Sequence, residues 1–465
     1  MTEASAKFLT GNLFRHVAVM SLTASVGLMA VFIVDFVDLI FISMLGKAEL
    51  AAAVGYAGAI LFFTTSFGIG LSIAAGALVA RALGAGDAAL ARERTTHALT
   101  YGIVFSLIFS GLVWLNLTPL VDVLGAKGET AQLSVHFLKI VVPSVPFLIL
   151  GMMGAAILRA HGDARRAMMA TIVGGLVNAI LDPILIFGLD LELTGAAIAS
   201  FVARVAIAVM AMLPLIRIYG GIARPHRAGM LRDLSPVMAI AFPAILAQVA
   251  TPVGQAYVTR VMAEYGEEAV AGMAIVGRMT PVAFGVVFAL SGAVGPIIGQ
   301  NYGAGNMDRV RRAFNASILF VALVIVSVST LLFAFRAPIA DLFEATGVTR
   351  DLIYLFCGPL SLMFFFPGVL FVANAMFNNM GQPFLSTLTN WGRNALALIP
   401  LVWLGSLLFD AQGVLIGQAL AGVLFGIVAW VLALRCIAQG GVGDRTGLEI
   451  FGREGRLMAL FHGRR

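Results

Sequence analysis

Ala80-Arg81-Ala82-Leu83-Gly84-Ala85-Gly86-Asp87 closes one long apolar run, and Gly299-Gln300-Asn301-Tyr302-Gly303-Ala304-Gly305-Asn306 closes another, 219 residues later. The same offset superposes Ser72 on Ser291, Gly76 on Gly295 and Gly162 on Gly381. One-residue gaps then bring Gly46 opposite Gly266 and Gly195 opposite Gly413. A single Gly-Ala-Gly match is within chance; the co-registered set is the mark of an internal duplication.

The material being duplicated is membrane-like. Of 465 residues, 60% are hydrophobic and 12% charged, with a mean hydropathy of +0.98. Soluble domains carry about 25% charged residues, so too few polar groups exist here to coat a water-facing surface. That excludes a soluble enzyme, a disordered chain and a nucleic-acid binder. Apolar runs fall near 17–45, 51–80, 95–118, 131–158, 167–188, 194–216, 236–263, 270–302, 313–335, 351–380, 384–408 and 412–435. Each is long enough for a span of about 20 residues. The stretch after Lys7 and Arg15 is too long for a signal-peptide core, so the first span is expected to be retained. Cys357 and Cys436 share no metal or disulfide spacing, and two isolated thiols are expected.

The fold expected is all-α and integral to the membrane, with 12 spans as two six-helix bundles around a central V-shaped cavity. Six is even, so the copies share one orientation and form parallel repeats about an axis along the membrane normal. The N-terminal lobe is expected over 1–216, a cytoplasmic linker over 217–235, the C-terminal lobe over 236–435 and a cytoplasmic tail over 436–465. The net charge of +6 reports topology rather than an acidic partner. With the N-terminus inside, twenty-one of the thirty basic residues fall on the inner side and six on the outer, with Lys139, Arg204 and Arg393 inside spans. That bias places both termini in the cytoplasm. Arg204 and Lys139 lie nearer span ends and are expected to snorkel.

Three acids sit at bilayer depth: Asp35, Asp38 and Asp182. A charge there costs at least about 2.5–3.5 kcal/mol, so such residues face a cavity or carry a proton. Asp35 and Asp38 share one helix face at i,i+3. They cannot both sit charged side by side in a low dielectric. Asn178 and Asp182 are one turn apart, just before Pro183. At about 1.5 Å per residue, Asp38 is about 12 Å below Gly46 and Asn178 about 18 Å above Arg166. In a core of about 30 Å both fall in one layer, which favours a shared site. Asp35 serves either coupling or a structural hydrogen bond, and Asp182 could instead satisfy backbone freed at the break. Arg393, ten residues into the eleventh span, either lines the cavity or pairs with helix carbonyls. Most of the 20 Met and 33 Phe are packing and lipid-facing residues, a minority being expected in the cavity. None of the six histidines forms HExxH or another ligand spacing, so neither an enzyme nor a metal site is expected.

These residues resemble the multidrug and toxic compound extrusion (MATE) family over about 12–435. The resemblance rests on the 6 + 6 spans, Val37-Asp38 followed by Gly46, Leu158-Arg159-Ala160-His161-Gly162-Asp163, and Asn178-x-x-Leu181-Asp182-Pro183. It rests also on Gly195-Ala196-Ala197-Ile198-Ala199-Ser200 and Gly299 to Gly305. It implies a multidrug efflux antiporter of the bacterial inner membrane, a monomer without cofactor. Cationic or amphipathic organic compounds would leave in exchange for protons, or for sodium ions. Asp38, Asn178 and Asp182, with Asp35 beside them, match the N-lobe cation and proton site. Asp38, Ser200, Gln255 and Arg393 are the residues expected against substrate. The C-lobe acid of the sodium-coupled branch is unmatched, Thr251 standing in its place, so the chain looks like the DinF-like branch. The first span lacks the proline of many relatives, whereas its repeat keeps Pro243. A lipid-linked oligosaccharide flippase is the rival reading, but its anionic cargo wants a basic cluster where only Arg393 stands.

Overall fold

The computed structural model describes residues 6–220 and 222–440. Among them the chain is helical throughout, with no strand, as the bilayer requires of a segment whose backbone must satisfy itself. Nine stretches are long and apolar enough to cross a membrane, and two bent pairs, Glu267–Ala283 with Gly285–Gly303 and Gly347–Met363 with Phe365–Asn379, add one span each. The last of the nine, Pro383–Ala438, holds two spans rather than one. Phe409 and Asp410 leave helical geometry, Asp410 with φ 49°, and the chain doubles back. Gly413 then packs on Gly405 and Gly417 on Leu401, as in an antiparallel hairpin. Twelve spans result.

The duplication is visible helix by helix. The second span, Ala48–Gly84, corresponds at offset 219 to Glu267–Gly303; the third, Ala88–Leu115, to Met307–Ala334; and the short helix Leu117–Val123 to Arg336–Leu342. The copies differ where proline falls. The second span is one continuous helix, but its equivalent bends by 47° after Pro281. The first span, Leu13–Met44, is likewise unbroken and holds no proline, whereas Arg227–Ala263 carries Pro236, Pro243 and Pro252.

Helix ends do not follow the boundaries expected from charge. The seventh helix starts at Arg227, inside the expected linker, and the twelfth runs to Ala438, inside the expected tail. A helix satisfies its own backbone equally in water, so it need not stop at the interface. Residues 441–465 of that tail lie outside the described residues. Arg204 does not snorkel outward. It turns into the break of the fourth span, donating to Ser144 Oγ at 3.1 Å and to the Val141 carbonyl at 3.4 Å. Pro143 and Pro146 remove backbone donors at that break, and the guanidinium serves the groups left over. Both cysteines are free and buried.

Among the described residues the two lobes share core only at the end carrying the termini and the linker, called the inner end after the charge bias of the sequence. Phe8, Leu13, Val17 and Met20 pack into the core of the C-terminal lobe. Val237, Ile240 and Ala241 pack into that of the N-terminal lobe. At the opposite end Ile42, Leu50, Val121, Phe137 and Ile186 form a core drawn from the N-terminal lobe alone. The cleft between the lobes therefore opens away from the termini. Its inner end is closed by the second and eighth spans, which cross backbone to backbone. Gly84 lies against the backbone of Gln300, and its repeat equivalent Gly303 lies against that of Arg81. Two cross-lobe sets of hydrogen bonds secure the crossing. Arg81 donates to the carbonyls of Asn378 and Asn379, both at 2.8 Å, and Gln300 donates to that of Ala160 at 2.8 Å. Gln300 also accepts from the backbone N–H of Phe8 at 2.8 Å.

A side chain at this crossing has no room. Overpacking costs about 1–3 kcal/mol, which corresponds to about a 5- to 150-fold change in population. Gly84→Leu is expected to open the inner end: spin labels at the exposed, repeat-related Ala85 and Ala304 should move apart. An unchanged distance distribution would show that the crossing does not hold the inner end closed.

Candidate functional site

The first, fifth and sixth spans approach closely because small residues face them. Gly175 leaves room for Val34 of the first span, and Gly174 for Ile207 of the sixth. At the outer end of the fifth span, Pro183 ends the regular helix and the chain passes into a π-turn over Ile184–Gly188. The sixth span, Glu192–Arg217, starts against that turn, where a Cβ on Gly195 would stand 2.7 Å from the carbonyl carbon of Leu185. The Gly195–Ser200 motif is thus a packing motif at its first residue.

This packing brings together three of the residues expected at the site. Asn178 Nδ2 donates to Asp38 Oδ1 at 2.9 Å and to Asp182 Oδ2 at 2.8 Å. The two carboxyls also face one another within hydrogen-bonding reach. Asn178 and Asp182 are buried, at 5% and 1% exposure, and Asp38 is half-buried. Asp182 Oδ1 is fully enclosed and receives no hydrogen bond. One amide therefore serves two acids and leaves an acceptor unmatched. A proton, or a small monovalent cation, is what such a set can take up. The side chain of Asp35 lies outside the described residues.

The other expected residues do not join this group. Ser200 is half-buried on the sixth span and makes no hydrogen bond with the acids. Gln255 is exposed in the opposite lobe, where its Oε1 accepts from Gln418 Nε2 at 3.2 Å, tying the seventh span to the twelfth. Arg393 sits half-buried in a π-turn, Gly392–Ala397, with its Nε 3.9 Å from the Cβ position of Gly422. It makes no hydrogen bond or ion pair among the described residues, and neither does a second arginine that sequence reasoning missed. Arg159, counted among the inner loop charges, is half-buried where the lobes meet, beside Gly292 of the eighth span. Its position at the end of the fourth span disguised it, because a terminal arginine ordinarily reaches water.

The Leu158–Asp163 motif does structural work. Asp163 caps the fifth span, accepting from Arg166 N at 3.1 Å, and also accepts from Tyr219 Oη at 2.7 Å. Burial would raise its carboxyl, but the bonds from Tyr219 and Arg166 hold it below the usual range. His161 stacks on the Tyr219 ring at 4.3 Å, and burial, against the pull of Asp163, lowers its pKa to about 4. It is a neutral ring at cellular pH, so this clasp between the fourth-to-fifth turn and the linker does not switch.

Several known proteins share this arrangement of spans. The chain is 29% identical over 430 residues to an FAD transporter of Shewanella oneidensis, covering 90% of this chain and 93% of that one. It is 24% identical over 431 residues to the multidrug export protein MepA of Staphylococcus aureus, covering 91% and 94%. Among solved structures it resembles the Vibrio cholerae MATE transporter VcmN, with a TM-score of 0.87 at 23% identity, covering 94% and 98%. The MatE family model matches residues 24–184 and 243–404, one stretch in each half of the duplication. Two six-span lobes, a cleft between them and a match in each half make the chain a member of the MatE family, a multi-pass secondary transporter and not an enzyme.

Proposed function

We propose that the protein exports amphipathic organic compounds across the bacterial plasma membrane, both termini in the cytoplasm, in exchange for protons. The observation that carries this reading is the Asp38–Asn178–Asp182 group, two buried carboxyls served by one amide. Like charges this close in a low dielectric cannot both be maintained, and a proton on the pair gives the enclosed Asp182 Oδ1 the partner it lacks. With the cleft open outward, protonation removes the negative charge that holds a cationic substrate. With the cleft open inward, proton loss restores it. Exchange follows because proton and substrate compete for one charge. MepA, whose name describes multidrug export, supports the substrate breadth. The chain acts as a monomer in this reading, each copy enclosing its own cleft.

In proteoliposomes, Asp38→Asn is expected to abolish efflux of a cationic dye driven by a pH gradient while leaving dye binding detectable. Full proton-driven export by that variant would sink the assignment. Transport in a sodium gradient without a pH gradient would instead transfer the role at these acids to sodium.

One observation favours a second reading of the substrate. Arg159 and Arg393 come from opposite lobes, and neither is neutralised by a described residue. A buried cation without a counter-ion is costly, and an anionic group on the substrate would supply that counter-ion with charge-assisted hydrogen bonds. The FAD transporter of Shewanella oneidensis, similar over nine-tenths of this chain, is named for a substrate carrying such groups. In this reading flavin dinucleotide efflux is saturable and falls about tenfold or more in Arg393→Gln, a lost charged hydrogen bond being worth about 1.5–3 kcal/mol. Dye efflux should be spared. Equal losses for both substrates would reduce Arg393 to a structural part.

A further inference from the structure

The inner end of the third span and the start of the seventh hold a cluster that the transport reading does not use. His97, on the third span, is buried at 1% exposure. Its Nδ1 is held by Asp233 Oδ2 of the seventh helix at 2.6 Å. Its Nε2 is enclosed and has no hydrogen-bond partner. One turn earlier on the same helix, Glu93 brings Oε1 to 3.4 Å from Nε2 of His226, the last residue of the linker. The ligand atoms of Glu93, His97 and His226 all lie within 4.8 Å of one another. A Cβ on Gly229 would stand 2.6 Å from Glu93 Oε1 and 2.7 Å from His226 Nε2, so the absence of a side chain there keeps the space between them free.

From this geometry we infer a zinc site formed by His97 Nε2, His226 Nε2 and Glu93 Oε1. Two imidazoles and one carboxylate suit zinc, and a water completes the tetrahedron. Tetrahedral ligands about 2.0–2.1 Å from the ion lie roughly 3.3 Å apart, close to the 3.4 Å between Glu93 and His226. The Asp233 contact to Nδ1 fixes the tautomer that leaves Nε2 with its lone pair, as carboxylates do behind metal-bound histidines. Arg232 stands nearby, 3.1 Å from Glu93 Oε2 and 3.0 Å from Asp233 Oδ1. It occupies the carboxylate oxygens that face away from the ion. Zinc would staple the linker to the N-terminal lobe where the chain crosses between lobes. The linker and the start of the seventh helix already rest there: Ala223 N donates to Thr96 Oγ1 at 2.8 Å, and Tyr101 Oη donates to the Met230 carbonyl. The inference does not depend on the substrate or the coupling ion.

The test uses the full chain, purified without a tag, stripped with chelator and titrated with zinc against a chromophoric competitor. One ion per chain is expected, with zinc raising the thermal midpoint and magnesium leaving it unchanged. His226→Ala and Gly229→Ala should each weaken zinc binding at least about tenfold, the lower end of what supporting residues of a metal site contribute, and remove the zinc-dependent shift. The His226 side chain is 58% exposed, and an alanine at a helical glycine favours the helix, so both variants should keep the zinc-free midpoint. A wild type that binds no zinc, or variants that bind it as tightly, would overturn the site and leave His97–Asp233 as a structural hydrogen bond only.

Discussion

Everything in this molecule hangs on two backbones touching at Gly84 and Gly303. Apolar burial cannot join lobes in a bilayer, since lipid is as apolar as leucine, and close approach through small residues takes its place. The second and eighth spans meet in this way at one end only. Hydrogen bonds from Arg81 and Gln300 to carbonyls of the opposite lobe then fix the angle. The cleft is the geometrical remainder: two bundles pinned at one end must separate at the other. In the proposed exchange cycle this contact has to part, so its strength would set the balance between the two access states.

The buried acids belong to one lobe, whereas arginines without a described counter-ion stand in both. The N-terminal lobe buries its acids under one shared amide, with the fifth span broken just beyond by Pro183. The C-terminal lobe carries Arg393 on a π-turn without a counter-ion among the described residues. π-turns in helices recur at functional sites, and here one sits at the acid group and another beneath the arginine. Under the proposed function, buried acids together with uncompensated arginines suit amphipathic molecules that carry charge of either sign, in keeping with relatives named for multidrug export and for FAD.

Much of this was legible in the sequence because it depends on counting. The offset of 219 read from Gly84 and Gly303 holds for helix boundaries, and 1.5 Å per residue sufficed to put Asp38 and Asn178 in one layer before a bond of 2.9 Å joined them. What stayed hidden depends on breaks and on direction. The hairpin at Phe409–Asp410 falls in the break expected between 384–408 and 412–435, but apolar periodicity does not register the turn at Gly392, because a π-turn keeps the same composition. Arg204 and Arg159 have the sequence context of snorkelling residues and turn inward. Glu93 and His97 are a turn apart but unremarkable until the linker brings His226 back across more than a hundred residues.

The cross-lobe contacts also have a form of their own. Arg81 and Gln300 are repeat equivalents, as are the carbonyls of Asn379 and Ala160 that receive them. Each half therefore presents the same patch to the other, in the manner of an isologous subunit interface. Only the linker distinguishes the arrangement from a two-fold dimer of half-length chains. Covalent fusion frees the two copies to diverge, letting one keep buried acids that the other lacks on surfaces that a true dimer would have to keep identical.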